Sequence, residues 1–329
     1  MKKLLAKKLL ALTTLFFVSP IVSELLFGST PLSRAAFLLP QAFFYGSGCI
    51  LIREIFRGYH MSWGALLLLG TVFGIIEEAL ALQSVFNPKF FGLDLSYGRY
   101  FGVNWLWGIY IIGYHAFYSI TLPIVITELL FPTIDKLRWT HRYGLGASFL
   151  VFIAMTVSFY FIFNEQSEYT TPALPYALAV IAAFCLTILA FLLPRKESGA
   201  SPSFSLSPLF VALLSVLFCG AWLWLFAKIF EPDPWSVGSL LASAILLALI
   251  LSIVFPNSIH RMSSIQRFAL AAGGLLVSMV FGLQVLMAVG NRLDIVAHII
   301  FMSITTILLT LLGRVLTDKR RGTMAYDER

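Results

Sequence analysis

Long uninterrupted runs of apolar residues dominate the chain, and ten of them approach or exceed the length of about 20 residues that a helix needs to cross a hydrocarbon core of about 30 Å. In hydrocarbon every backbone N–H and C=O must be paired within its own segment, so these runs predict helices. The ten predicted spans are residues 9–27, 35–52, 62–82, 104–131, 145–163, 173–193, 206–229, 237–255, 268–289 and 295–315. The pattern therefore predicts an all-α, polytopic transmembrane helix bundle that forms a single integral membrane domain over residues 1–329.

The composition supports this interpretation and narrows the classes of partner. Of 329 residues 59% are hydrophobic and 12% charged, whereas soluble domains are about half apolar and a quarter charged. The net charge of +7 is not arranged as a basic stripe with interleaved aromatic residues, so we expect no nucleic-acid partner. The predicted partner is the lipid bilayer of the cell membrane. Since no nucleotide-binding or metal-binding motif is present, no cofactor or metal is predicted.

The basic residues favour one orientation of the chain. With the N-terminus placed in the cytoplasm, the inner segments hold 18 of the 23 Lys and Arg residues. The other five, in outer segments, are Arg34, Lys89, Arg99, Lys228 and Arg292. The positive-inside rule then predicts ten spans with both termini cytoplasmic. The first span resembles a signal peptide, but Pro20 and Glu24 interrupt the expected cleavage region, so we expect an uncleaved helix.

Short matches between the two halves suggest an internal repeat. Val72-Phe73-Gly74 recurs as Val280-Phe281-Gly282, and HAFYSIT from His115 resembles HIIFMSIT from His298. We interpret them as a weak parallel repeat of 9–131 and 206–315, joined by the helices of 145–193. Parallel repeats are common in transporters, although short matches in apolar sequence also arise by chance.

Two adjacent carboxylates, Glu77 and Glu78, lie inside the third predicted span. Ionisable side chains at membrane depth are costly and indicate a functional site. Two neighbouring carboxylates cannot both ionise cheaply in a low dielectric, so we expect one of them to hold a proton, as acid–base chemistry or proton coupling requires. The alternative is a structural pair that bonds to Tyr, Trp or backbone groups.

His115 lies in the fourth predicted span at the same depth as the two glutamates, and these three residues are the candidate catalytic residues. Other polar residues in the outer half are candidates for substrate binding. They are Gln41, Tyr45, Tyr118, Gln284 and His298. Their shared depth predicts an outward-facing polar pocket, although each residue alone also has an ordinary packing explanation. The loop 83–103 joins the two candidate helices, and it is interpreted as a re-entrant lid or as an interfacial aromatic segment.

Paired glutamates in one membrane helix followed by a histidine in the next resemble the CAAX-protease and bacteriocin-processing (CPBP) family of intramembrane glutamyl proteases. In that family the glutamates and histidines activate a water molecule for peptide hydrolysis. The resemblance implies that Glu77 or Glu78 is the base and that His115 holds the water or the oxyanion.

Three functions remain open at this point. The first is an intramembrane hydrolase, protease-like, that acts near the outer leaflet on a peptide or lipid-linked substrate. The second is a secondary transporter in which the carboxylates bind a proton or another cation. The third is a non-catalytic membrane partner or immunity-type protein, in which the polar cluster only fixes helix packing.

Overall fold

The computed structural model describes residues 2–90, 93–96, 98–165, 167, 169–193, 206–229, 238, 241–245, 248, 259 and 261–327. Within these residues the chain forms nine long helices and one small hairpin. The helices are α1 (Lys2–Leu25), α2 (Leu32–Gly58), α3 (Trp63–Ala81), α4 (Trp105–Leu130), α5 (Arg142–Glu165), α6 (Ala173–Leu192), α7 (Pro208–Ile229), α8 (Ser264–Val289) and α9 (Arg292–Asp327). The hairpin pairs β1 (Arg99–Tyr100) with β2 (Val103–Asn104).

The architecture confirms the predicted all-α polytopic membrane bundle, because each of the nine described helices is long and apolar enough to cross a membrane. The predicted span 237–255 lies largely outside the described residues. Its neighbours α7 and α8 run parallel, since Gln266 Nε2 donates to Leu206 O and Ser215 Oγ donates to Leu270 O. A parallel orientation is the one expected when a single span separates two helices. The cytoplasmic placement of the termini stays a prediction.

Two helices, α3 and α4, form the centre of the bundle. The buried share of the most apolar 18-residue window is 67% in α3 and 78% in α4. It is 6% in α5 and 11% in α6 and in α9. The two central helices are therefore covered by protein, whereas the peripheral helices α5, α6 and α9 present apolar faces to lipid. Hydropathy does not distinguish these positions, because lipid tails are as apolar as a protein core.

Four short π-helical segments interrupt the first four helices. They are Ile21–Leu25 in α1, Ala42–Gly46 in α2, Ile76–Ala81 in α3 and His115–Thr121 in α4. Such segments are rare and occur most often as single-turn bulges at functional sites. Here each of the four carries a polar residue of the site described below.

The proposed repeat stays a prediction. The two VFG segments both serve close helix packing, but their partners differ. A Cβ on Gly74 would lie 2.9 Å from Ile112 O of α4, whereas a Cβ on Gly282 would lie 2.7 Å from Phe27 C in the turn after α1.

A buried ion-pair network joins α2 to α4 at the predicted inner end. The Arg53 side chain is fully buried; its Nη1 donates to Glu54 Oε1 at 2.6 Å, and its Nε donates to Glu128 Oε1 at 3.3 Å. Arg57 Nε donates to the same Glu128 oxygen at 2.7 Å. Each charge in this group therefore has an opposite charge in contact, which offsets the cost of removing it from water.

The same network anchors the connection between α4 and α5. The Arg53 guanidinium donates to Leu137 O at 2.8 Å and to Asp135 O at 2.6 Å, and it lies 3.5 Å from the centre of the Trp139 ring. Glu54 accepts from the backbone N–H of Trp139 at 3.1 Å. One planar guanidinium thus binds two carboxylates, two carbonyl groups and an aromatic face, which an ammonium group cannot reproduce.

We expect Arg53→Lys to lower the free energy of unfolding by about 3 kcal/mol or more, because partners of a buried charge are left unpaired. Thermal unfolding in detergent, followed by tryptophan fluorescence, measures the effect. Arg314→Lys is the matched control, since Arg314 is exposed on α9. Equal unfolding midpoints for the two variants would contradict this role of the network.

Candidate functional site

Five polar residues from four helices meet in the predicted outer half of the bundle. They are Glu24 of α1, Tyr45 of α2, Glu77 and Glu78 of α3, and His115 of α4, and we call them the acid–imidazole cluster. Each is less than a tenth exposed. All five lie in the four π-helical segments, so the local widening of each helix coincides with the position of its polar side chain.

The imidazole of His115 lies between the two adjacent carboxylates. Its Nδ1 lies 3.0 Å from Glu77 Oε2, and its Nε2 lies 2.9 Å from Glu78 Oε1. Ser119 Oγ, one turn further along α4, lies 2.8 Å from Nδ1. The 100° between adjacent helix positions allows this bridging, because the two carboxylates approach the ring from different sides.

Tyr45 connects two carboxylates of the cluster. Its hydroxyl lies 2.7 Å from Glu24 Oε1 and also contacts Glu77 Oε1. A phenol has one hydrogen to donate, so it can satisfy only one of two ionised carboxylates. The second contact is a hydrogen bond only when a proton resides on Glu24 or Glu77. The geometry therefore favours a shared proton at this position.

Glu78 is surrounded by donors on the side facing the external loop. Ser84 Oγ donates to Glu78 Oε2, and it accepts from Trp107 Nε1 at 3.0 Å. Together with His115 these contacts suit an ionised carboxylate. The environments of Glu77 and Glu78 therefore differ, although the two residues are adjacent in sequence.

The loop 83–103 covers this side of the cluster and ends in the hairpin. Phe101 and Gly102 form its two-residue turn with φ of 54° and 80°, as a type I′ turn requires. The Phe101 side chain is 94% exposed and Trp105 is partly exposed, which is typical of an interfacial aromatic segment. Ser84 and Leu95 are buried beneath it. The exposed aromatic residues of the loop thus lie at the predicted membrane interface, and its buried residue Ser84 contacts Glu78. Movement of the loop as a lid stays a prediction.

Two glycines one turn apart bring α3 close to α4. A Cβ on Gly70 would lie 2.8 Å from Ala116 O, and one on Gly74 would lie 2.9 Å from Ile112 O. This small-xxx-small pattern lets the helix backbones approach closely. The approach sets the distance between His115 and the glutamates, which follow Gly74 by one turn of the same helix.

The charges of the cluster do not balance. Three ionised carboxylates and one imidazolium would give −3 + 1 = −2 in a buried site, which protons or a cation must offset. One atom each from Glu77, Glu78 and His115 lies within 4.8 Å of the others, and these three residues could hold a metal ion. Carboxylate and imidazole ligands suit divalent ions such as Zn²⁺ and Mn²⁺.

Aromatic rings pack beside the cluster, on the side of α5. Phe44 packs against Phe73 and Phe152 with ring centroids 5.2 and 5.3 Å apart, and against Phe159 at 5.1 Å. Phe73 precedes Glu77 by one helical turn, and its ring lies 6.4 Å from that of His115. These rings form an apolar flank next to the cluster.

The structure brings together only some of the residues selected from the sequence. Glu77, Glu78, His115 and Tyr45 are in contact, and Gln41 joins them through Nε2, which donates to Glu24 Oε2 at 3.1 Å. The other three lie elsewhere. Tyr118 donates to Gly274 O at 3.3 Å, Gln284 is exposed on α8, and the His298 imidazole lies 3.0 Å from Met279 O.

The predicted outward-facing polar pocket needs correction. The polar side chains of the cluster face one another, and none of Glu77, Glu78 and His115 lines the large cavity that the structure contains. That cavity, of about 680 Å³, is apolar and lies against the same two helices. Buried polar groups bond to each other because hydrocarbon offers them no other partner.

Glu24 is the site residue that sequence analysis missed. Glu24 lies near the end of the first predicted span, where a carboxylate can reach water, so its position in the sequence does not predict burial. The fold buries it by returning α2 alongside α1, and its Oε2 accepts from Ser29 Oγ at 2.8 Å and Thr30 Oγ1 at 2.9 Å. Pro20, four residues before Glu24, is the feature of the sequence that indicates an irregular helix end here.

A protein-family model described as "Uncharacterized membrane protein family" matches residues 13–317. The chain belongs to this family. No curated protein and no solved structure matches it. The match corrects the resemblance to the CPBP proteases, which is wrong: Leu82 and Gln83 stand where those proteases carry arginine, and a Glu/His pairing alone does not identify a family. Family membership and the described helices establish a multi-pass membrane protein.

We expect Gly74→Ala to separate α3 from α4, because the added Cβ meets backbone and not a flexible side chain. Overpacking of this kind costs about 1–3 kcal/mol. Gly146→Ala is the matched control, since nothing lies within 4 Å of that position. Thermal unfolding in detergent should show a lower midpoint for Gly74→Ala only. An unchanged midpoint would contradict the close approach.

Proposed function

We propose that this chain is an intramembrane hydrolase whose acid–imidazole cluster works from the outer side of the membrane. The observation that carries the proposal is the position of the His115 imidazole between Glu77 and Glu78, with a ring nitrogen 3.0 and 2.9 Å from the respective carboxylates. Two carboxylates with different surroundings, joined by a group that can pass a proton, are what acid–base catalysis of hydrolysis requires.

Glu78 is the general base in this proposal. It accepts from Ser84 and faces His115, so hydrogen bonds within the protein stabilise its ionised form in an otherwise apolar region. An ionised carboxylate held by donors can take a proton from a water molecule as that water attacks the substrate.

Glu77 is the general acid. Its contact with the Tyr45 hydroxyl, which also contacts Glu24, favours a proton on this carboxylate pair. Glu77 is therefore placed to protonate a leaving group. The two adjacent residues would take opposite roles because their environments differ, as carboxylate pairs do in other acid–base sites.

The reaction balances through the two carboxylates and the solvent. An O–H bond of water breaks, its proton goes to Glu78, and the oxygen bonds to the electrophilic atom of the substrate. The bond to the leaving group breaks, and the leaving group takes the proton of Glu77. Glu78 then releases its proton to water, and Glu77 receives a new proton from the predicted outer side through Glu24 and Tyr45.

Access from one side supports hydrolysis over coupled transport. A hydrogen-bonded chain leads from Glu77 through Tyr45 and Glu24 to the exposed Ser29 at the predicted outer turn. On the predicted inner side the Phe73 ring, one helical turn before Glu77, packs against the Tyr45 ring with centroids 5.8 Å apart. A cation-coupled carrier is the second candidate, because the unbalanced charge of −2 would suit a transported cation.

Oxygen-18 incorporation tests hydrolysis without knowledge of the substrate. The purified protein is incubated with native membrane extract in H₂¹⁸O, and mass spectrometry finds products that carry one atom of ¹⁸O. We expect wild-type protein to form such a product. Glu78→Gln and His115→Gln should slow its formation by about 100-fold or more, as loss of acid–base catalysis does.

The controls are Glu165→Gln and His141→Gln, which change exposed residues and should leave the rate unchanged. Absence of any ¹⁸O product that depends on Glu78 would overturn the hydrolase. Proton or cation flux into liposomes that depends on Glu77 would then favour the carrier. If the variants of Glu77, Glu78 and His115 all equal wild-type protein in both assays, only a packing role remains for the acid–imidazole cluster.

Tyr45→Phe tests the proton connection to the outside. We expect the rate of ¹⁸O incorporation to fall by a factor of about 10–100, the equivalent of one hydrogen bond to a charged group. The loss should be greatest at high pH, where protons to reload Glu77 are scarce. Tyr59→Phe, at an exposed position on the inner side, is the control. A rate and pH profile equal to wild type would remove Tyr45 from the mechanism.

A further inference from the structure

A deep apolar groove runs along the central helices α3 and α4. Tyr114 lies between this groove and the acid–imidazole cluster. Residues of α3 and α4 form its floor, α6 and α7 form its walls, and the hairpin stands at its outer end. Its volume is about 680 Å³, within the range of about 300–1,000 Å³ that small-molecule sites have. No part of the proposed mechanism uses it.

We propose that this groove binds the acyl chain of an ester-linked lipid that enters from the outer leaflet, and that Trp222 Nε1 donates a hydrogen bond to an ester oxygen of that lipid. The inference concerns binding alone and does not depend on hydrolysis.

The length of the groove suits a lipid chain. Trp105 and Tyr118 of α4 both line it, and 13 residues at about 1.5 Å each place them about 20 Å apart along the helix. One leaflet of hydrocarbon is about 15 Å deep. The groove therefore extends from the outer interface, marked by Trp105, to about the middle of the membrane.

The apolar lining disfavours an extended peptide, because the backbone N–H and C=O groups of the peptide would be unpaired against it. An acyl chain is thin and carries no polar group along its length.

The polar atoms of the lining are mostly engaged already. Tyr114 OH donates to Ser23 O at 2.6 Å, Tyr118 OH donates to Gly274 O, and Thr71 Oγ1 donates within its own helix to Leu67 O. These groups present carbon atoms to the groove. Such a lining favours hydrocarbon and gives no recognition of a polar chain.

Trp222 is the exception. Its side chain lines the groove and only 6% of the residue is exposed, and its Nε1 has no hydrogen-bond partner among the residues that the structure describes. The indole stacks on Tyr110 with ring centroids 6.1 Å apart and lies against Gly113. A buried N–H without a partner is costly, and an ester oxygen of a bound lipid would satisfy it. An alkane, which has no acceptor atom, would not.

Photo-crosslinking in lipid nanodiscs tests the occupant. The probe is phosphatidylglycerol with a diazirine in the middle of one palmitoyl chain, and labelled residues are mapped by mass spectrometry. We expect labels to concentrate on groove residues such as Phe117 and Phe218. Ala179→Trp, which fills the groove, should reduce this labelling at least fivefold. Ala177→Trp, an exposed position on the same helix, should leave it unchanged.

Trp222→Phe tests the hydrogen bond with the ring retained. An ester-linked phospholipid should compete with the probe better than its ether-linked analogue for wild-type protein, by a factor of about 2–10. The variant should show no such preference. The probe should label the Glu78→Gln variant as strongly as it labels wild-type protein. Failure of the proposed hydrolase activity would therefore not affect this test of lipid binding.

Even labelling of the groove and of the lipid-facing side of α9, unaffected by Ala179→Trp, would overturn the proposed groove site. An unchanged ester preference in Trp222→Phe would overturn the assignment of the donor. Thermal unfolding of each variant in detergent separates loss of binding from loss of folding, and the mapping on wild-type protein decides the occupant independently of any variant.

Discussion

Carboxylates in hydrocarbon must find partners within the protein, and this constraint explains the outer half of the bundle. Glu24, Glu77 and Glu78 come from two helices that are distant in sequence, and their partners Tyr45 and His115 come from two more. Each ionisable group costs roughly 2.5–3.5 kcal/mol or more at membrane depth, so the four helices are held in the one arrangement that pairs them. The π-helical segments supply the local geometry.

The bundle is asymmetric across the membrane because its two polar centres have different chemistry. The inner one matches arginine with glutamate and with backbone carbonyls, so its charges are compensated. The outer one has an excess of acid, which only protons or a cation can offset. About two helical turns of α2 lie between Tyr45 of the outer centre and Arg53 of the inner one. A compensated network stabilises structure, whereas an uncompensated one responds to its surroundings, which is why we place the function at the outer centre.

The central helices α3 and α4 also carry the apolar groove, one layer of side chains away from the cluster. Tyr114 shows how the two environments are kept apart. Its ring lines the groove and packs edge-on against His115 with centroids 5.4 Å apart, while its hydroxyl donates to Ser23 O. One side chain therefore presents carbon to the groove and a hydrogen bond to the helix behind it.

The sequence by itself determined the class of fold, all nine described helices and the shared depth of Glu77, Glu78 and His115, because length, hydropathy and helical rise act locally along the chain. Only the tertiary structure decided which polar residues meet. It added Glu24, placed Gln284 and His298 elsewhere, and replaced a polar pocket by a closed cluster beside an apolar groove. The physical reason is that depth fixes one coordinate of a side chain, whereas contact also requires the rotation and neighbours of its helix. In a bundle that is apolar on all sides, only packing sets these, here through glycines such as Gly70 and Gly74.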